Sequence, residues 1–475
     1  MVNRWKIGCV LALLIAWAGC PGCVSSRTAP AAQKERAIPF QRVQIGLCED
    51  YPRETRSLAS ARQDFELLKT NGIRVLRIAF PWDALETAPD KYDWSFWDDF
   101  VRIATDEYGL QLIPYVCYTP RWASTGNATN FWRQPSRDNA RFAEFVRTIV
   151  ARYRSRIHSW EIWNEPDNPE YWEGSTEQYA NLLKTGSRAV READPGARVV
   201  LGGIAWNLDF LRDLLARYQI SPEIDVVNLH NYYETWSPDP IEQIGDHVLR
   251  ADSIIREYGS RQPIWLAEVG YSDYRRGASV SGAYKARFDY EHTPEFQAES
   301  LGRMFASALA TGRVQLIAWY RIHDLPPATR VIGDDNNRRL GVVDVQGRPK
   351  PVLRAIAFFQ FIFAGDFRCL DSITRETRLI RSDGSVHVFE KRDGESFITA
   401  WLNSVDWLTP PGAGVDRRHE KLDILLPKPR ASQVYVYNAL GNRQSTASLR
   451  KVAGDEKSLT ITLRPGELKV YECPP

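Results

Sequence analysis

The 475-residue chain carries 25% charged residues that nearly cancel, giving a formal net charge of +2 at neutral pH. That balance offers no bulk attraction to nucleic acid or to an anionic membrane surface, so no nucleic-acid partner is expected. The length exceeds what one hydrophobic core fills, roughly 250 to 300 residues, and a large domain followed by a smaller one is expected.

Residues 1–23 hold a basic head (Arg4, Lys6), an apolar run from Ile7 to Ala18 and then Gly19-Cys20. These are the charged, apolar and small-residue regions of an export signal, and the apolar run is short for a membrane-spanning helix. The chain is therefore expected to be exported. Ala18-Gly19-Cys20 resembles a lipoprotein cleavage box, in which Cys20 becomes lipidated and attaches the chain to a membrane. Trp17 departs from the aliphatic residue usual there, which leaves plain secretion open. Residues 24–39, rich in Ser, Ala, Pro and Gln, read as a flexible tether.

From residue 40 to 365, apolar runs rich in strand formers alternate with longer helical patterns. The strands are expected at 43–48, 74–80, 110–118, 157–163, 198–204, 225–231, 263–269 and 314–320. Helices fit at 59–70, 95–107, 138–154, 176–193, 207–218, 240–258, 294–311 and 350–363, where apolar residues recur at helical spacing, as in Phe142, Phe145, Val146, Ile149 and Val150. Near-continuous apolar strands separated by helices imply a parallel sheet covered on both faces. Eight such units close into a (β/α)₈ TIM barrel whose site lies at the C-terminal ends of the strands. An open doubly wound sheet is disfavoured, because no Gly-rich phosphate loop follows the first strand.

Residues 366–475 change period to short alternating strands broken by turns such as Arg392-Asp393-Gly394 and Leu440-Gly441-Asn442, which predicts a small C-terminal β-sandwich domain. No acid, base or metal set is visible in it, and it reads as a packing partner for the barrel. Cys48 and Cys117 fall in barrel strands as buried thiols. Cys369 and Cys473 lie at the two ends of the C-terminal domain, where an oxidising compartment could join them; their spacing alone leaves that open.

Chemistry concentrates in two places. In WEIWNEPD, Trp160 to Asp167, an apolar strand ends at Asn164-Glu165 and Pro166 stops the ladder. A residue before proline is pushed to extended geometry, so Glu165 is expected at a strand tip, with Trp163 and Trp172 lining a cleft. In PIWLAEVGY, Pro263 to Tyr271, Glu268 ends the seventh strand in the same manner. Strands four and seven stand three steps apart on an eight-strand ring, so the two carboxyls converge across the barrel mouth. Such a pair performs glycoside hydrolysis, with retention at a spacing of about 5 to 5.5 Å and inversion at about 6.5 to 9.5 Å. The surplus of aromatic residues, 16 Trp and 20 Tyr, suits stacking on sugar faces.

With the segments VLRIAFPWDALETAPDKYDW (75–94), YTPRWAS (118–124), VNLHNYY (227–233), AWYRIHD (318–324) and LGVVDVQGRPKP (340–351), the chain resembles the clan A glycoside hydrolases and is most similar to family 39. The resemblance implies an exported retaining β-glycosidase acting on an oligosaccharide or polysaccharide, without metal or organic cofactor. It makes Glu165 the general acid/base and Glu268 the nucleophile. Asn164 would hold the sugar 2-hydroxyl, Arg77 and Tyr232 would hydrogen-bond the nucleophile and keep it ionised, and His230 would shape the subsite near the acid/base. Trp319 would be the platform under the sugar, followed in many clan members by a non-proline cis bond. The loops after strands three (119–136) and seven (272–293) would set specificity, and Arg275, Arg276 and Arg287 raise an acidic sugar as a candidate. A transglycosylase using the same glutamates and a non-catalytic polysaccharide-binding lipoprotein are the alternatives; the intact glutamate pair argues against the second.

Overall fold

A computed structural model of the protein describes residues 39–51, 57–274, 292–331, 334–370, 384–402, 420–426, 432–451, 457–464 and 466–474. The expected export signal, Cys20 and all but the last residue of the tether lie outside the described residues. Ala37–Pro475 is one compact unit.

Eight parallel strands form the barrel: β1 Gln44–Glu49, β2 Val75–Pro81, β3 Gln111–Cys117, β4 Ser159–Ile162, β5 Arg198–Leu201, β6 Val227–Asn231, β7 Ile264–Val269 and β8 Val314–Tyr320. Their order is β5-β4-β3-β2-β1-β8-β7-β6, and isolated bridges Val200–Val226 and Ile204–Leu229 tie the two edges together. Cys48, Val75, Ile113, Val200, Val226, Trp265, Ala267, Leu316 and Ala318 fill the interior. The barrel interior is thus a packed core rather than a pore.

The helices between strands are α1 Leu58–Thr70, α2 Trp97–Arg102, α3 Asn139–Tyr153, α4 Thr176–Ala193, α5 Leu208–Ala216, α6 Gln243–Glu257, α7 Pro294–Leu309 and α8 Pro351–Ile362. In α4, Ser175 and Gln178 form a reciprocal capping box, which satisfies two of the orphan donors at the helix start. Its buried residues Tyr179, Leu182, Leu183, Gly186 and Val190 make one stripe against the strands. The π-helical turn Ile103–Glu107 extends α2 to the end predicted for it.

The C-terminal region holds β9 Phe367–Cys369, β10 Gly384–Lys391, β11 Ser396–Leu402, β12 Glu420–Leu426, β13 Gln433–Asn438, β14 Arg443–Ser448, β15 Arg450–Lys451, β16 Lys457–Leu463 and β17 Lys469–Cys473. They form a six-stranded and a three-stranded antiparallel sheet. Gly394 and Gly441 sit in the two expected hairpin turns at φ +92° and +71°, a region glycine enters without a Cβ clash. The sheets pack on the barrel helices: Leu468 N–H donates to Glu299 of α7 at 2.7 Å, and Trp401 Nε1 donates to Glu242 at 2.7 Å. Cys369 and Cys473 are buried thiols, with no disulfide between them. Cys48 and Cys117 are buried as expected. Among the described residues, no helix is long and apolar enough to cross a membrane.

Candidate active site

Strand β4 ends one residue before the predicted point, because Trp163 turns to φ +76° and Glu165 to φ +43°. The extended backbone expected at Glu165 is not what forms. Its carbonyl accepts the Asn168 N–H at 3.0 Å, and this tight turn outweighs the pre-proline preference. Positive φ at non-glycine residues is uncommon and clusters where a side chain must be aimed. Here it aims the Glu165 carboxyl into the mouth. Trp163 and Trp172 do not line a cleft: they are buried, 4.9 Å apart and edge to face, and form the floor beneath this turn.

Glu268 owes its direction to a bulge. Asn228 pairs with Trp265 and His230 with Glu268, while on the other side Ile317 pairs with Leu266 and Trp319 with Val269. Both neighbours therefore count one extra residue in β7. Ala267 pays no penalty for leaving the ladder, since its N–H reaches the Asn228 side chain at 3.0 Å and its carbonyl accepts the Cys48 thiol at 3.1 Å. Strand alternation would place Glu268 opposite in sense to the inward Ala267; the bulge re-aims it to the mouth.

The two carboxyls meet a shared set of partners. Arg77 is buried and donates Nη1 to Glu268 Oε2 at 2.7 Å, Nη2 to Asn164 Oδ1 at 2.8 Å, and a fork of Nε and Nη2 to Glu161 at 2.7 and 2.8 Å. Tyr232 donates its hydroxyl to Glu268 Oε1. Glu165 accepts from Asn168 Nδ2 at 2.8 Å and faces His230 Nδ1 at 2.9 Å, while His230 Nδ1 also lies 3.7 Å from Glu268. His230 Nε2 is buried without a partner, pressed toward Gly203, where an added Cβ would fall 1.9 Å from it. A buried N–H without an acceptor is rarer than an unused lone pair, so the imidazole proton belongs on Nδ1, facing the glutamates.

Burial, reinforced by the charge of Asp167, pushes Glu165 up to about 8 against the Asn168 hydrogen bond. Glu165 is thus protonated at neutral pH. Burial lifts Glu268 as well, opposed by His230, Arg77 and the Tyr232 hydroxyl. This corrects the expectation that Arg77 simply holds Glu268 low: the guanidinium is shared with Glu161, and burial outweighs its pull. Burial likewise lowers the His230 imidazole, which stays neutral.

The site brings together Glu165, Glu268, Arg77, Asn164, His230 and Tyr232, but not Trp319. Trp319 is fully buried, faces the helix layer and donates Nε1 to the Leu340 carbonyl at 3.0 Å. Interior residues of β8 are Leu316 and Ala318, so alternation gives the mouth to Tyr320, and the cis peptide bond joins Tyr320 to Arg321. The prediction was one residue out of register. Tyr320 lines a cavity of about 950 Å³ beside the two glutamates, together with Asn168, Tyr171, Trp206, Tyr232 and Trp236. In the loop after β3, Trp122 packs edge-on to Trp82 and Trp132 to Tyr118. Arg275, Arg276 and Arg287 lie outside the described residues.

Sequence reasoning missed Glu161, Asn168, Trp206 and Tyr320. Glu161 carried a signal: a carboxylate inside a strand whose four residues are all buried has to find a buried counter-charge. Oxygens of Glu165 and Glu268 and Nδ1 of His230 all lie within 4.8 Å of one another. That proximity would also suit a metal ion. The trio's oxygens already have protein partners: Arg77 and Tyr232 donate to Glu268, and Asn168 donates to Glu165.

The family model for Glycosyl hydrolases family 39 matches residues 13–447. The chain is 23% identical over 364 residues to a beta-xylosidase of Geobacillus stearothermophilus, covering 65% of this chain and 69% of that protein. It is 29% identical over 135 residues to an endo-1,4-beta-xylanase of Agaricus bisporus, covering 25% of this chain and 37% of that protein. A solved family 39 glycoside hydrolase from Bacteroides cellulosilyticus WH2 superposes with a TM-score of 0.64 at 16% identity, covering 91% of this chain and 81% of that one. With the barrel and its mouth described, the match over nearly the whole chain settles the class: the chain belongs to glycosyl hydrolase family 39 of clan A and is a retaining glycoside hydrolase.

Proposed function

We propose that the chain cleaves β-xylosidic bonds by double displacement, with Glu268 as nucleophile and Glu165 as acid and then base. One observation carries this assignment. Oxygens of the two glutamates approach within 4.8 Å, the short spacing of a retaining pair, and only Glu165 lacks a cationic partner. Glu165 protonates the leaving-group oxygen while Glu268 attacks the anomeric carbon; water, deprotonated by Glu165, then hydrolyses the ester. With Asn164 Oδ1 occupied by Arg77, its amide nitrogen is the group available to the sugar 2-hydroxyl. The sugar is inferred from the beta-xylosidase and endo-xylanase relatives.

The test is hydrolysis of β-xylosides and xylan with the anomeric product followed by NMR, for the wild type and Glu268→Ala. Release of the β-anomer, lost in the variant, supports the assignment; full activity of Glu268→Ala sinks it. Export is part of the same reading, carried by residues 1–23. Mass spectrometry of the mature N-terminus, expected at a lipidated Cys20, tests it; a chain that still begins at Met1 would refute it.

A further inference from the structure

Among the described residues, Trp206 is the most exposed of the large apolar side chains, at 59%, and it lines the cavity that holds Glu165 and Glu268. An aromatic ring left in water at the rim of a cleft has a face to offer. Its backbone is not loose. The Asp167 carboxylate accepts the N–H groups of Ala205 at 2.9 Å, Trp206 at 3.1 Å and Asn207 at 3.0 Å, and the Asn207 side chain then caps α5 through Asp209 N–H and Phe210 N–H. A single carboxylate thus pins the Trp206 segment to the loop that carries Glu165, two residues away.

That connection fixes which side of the scissile bond Trp206 serves. The general acid protonates the leaving-group oxygen, so groups built on its loop stand on the leaving-group side. The cavity, about 950 Å³ in volume, is lined by both glutamates and by Asn168, Tyr171 and Trp206. That volume is at the upper end of the usual range for ligand pockets, about 300 to 1,000 Å³, and exceeds what one sugar ring needs.

We propose that Trp206 is the stacking platform for the sugar residue on the leaving-group side, which makes the chain selective for oligosaccharides over glycosides with small leaving groups. Asp167 is the positioning residue that holds the platform in register with Glu165. The inference rests on the double-displacement assignment above and adds a second binding position to it.

The experiment compares kcat/KM for β-1,4-xylotriose and for β-xylosyl fluoride, whose leaving group is a single atom, in wild type, Trp206→Ala and Trp206→Phe. Trp206→Ala is expected to lose roughly 10- to 100-fold on xylotriose, with the fluoride within about twofold of wild type, and Trp206→Phe to recover most of the loss. Equal losses on both substrates, or no loss on xylotriose, would overturn the platform while leaving the glutamate assignment intact. A wild type that cleaves the fluoride but not xylotriose also overturns it. A wild type that cleaves neither refutes the xylosidic reading, and the platform falls with it.

Discussion

Glu165 and Glu268 are buried to nearly the same degree, 6% and 9% exposed, at the tips of strands on opposite sides of one mouth. What separates them is company. Glu165 meets an amide and a neutral imidazole; Glu268 meets a guanidinium and a phenol hydroxyl. Burial raises both, and only partners can part them. The division of labour in this site is therefore written in the neighbours of each carboxyl rather than in its exposure.

The strongest way to break the comparison is to delete each glutamate. Glu268→Ala should lose roughly 10⁴-fold or more in turnover on every substrate. Glu165→Ala should lose on the order of 10² to 10⁴-fold in kcat/KM on xylotriose but little in kcat/KM on β-xylosyl fluoride, whose departure needs no protonation. Its kcat on the fluoride should fall, because hydrolysis of the ester still needs the base. In wild type, kcat/KM should fall as pH rises through about 8, where Glu165 gives up its proton, and fall again in acid, where Glu268 gains one. The Glu165→Ala profile should lack the alkaline limb; an unchanged limb would place the acid elsewhere. Arg77→Met leaves Glu161 and Glu268 without their cation. It should cost about 3 to 5 kcal/mol of stability in denaturant unfolding.

Subtler variants sharpen the contrast. Glu161→Gln releases Arg77 to Glu268 alone and removes a nearby negative charge, so the acid limb of kcat/KM should move to lower pH while the alkaline limb stays. A purely structural Glu161 would lower stability without moving either limb. Gly203→Ala places a Cβ 1.9 Å from His230 Nε2, and the overpacking should cost about 1 to 3 kcal/mol, read as a lowered Tm.

The barrel was legible because eight apolar runs and eight amphipathic patterns alternate without interruption, and the pair Glu165 and Glu268 was legible because each follows such a run. What escaped depended on register. The bulge in β7 lies in pairing offsets to β6 and β8, which no local pattern records. Trp319 and Tyr320 are adjacent aromatics, and a step of one residue exchanges core for mouth. Trp206 sits in a turn whose anchor, Asp167, is close in space but 39 residues distant in sequence.

The shared guanidinium has one more consequence. In the proposed cycle the site neither gains nor loses charge; it relocates one unit. Glu268 begins with the negative charge, esterification extinguishes it there, and proton donation leaves it on Glu165. His230 Nδ1, 2.9 Å from one and 3.7 Å from the other, can follow that unit with a small swing of its ring. Arg77 keeps Glu161 throughout, so the covalent intermediate never strands a cation in the interior. A dry site tolerates a charge that moves far better than one that appears, because no water is present to screen the newcomer.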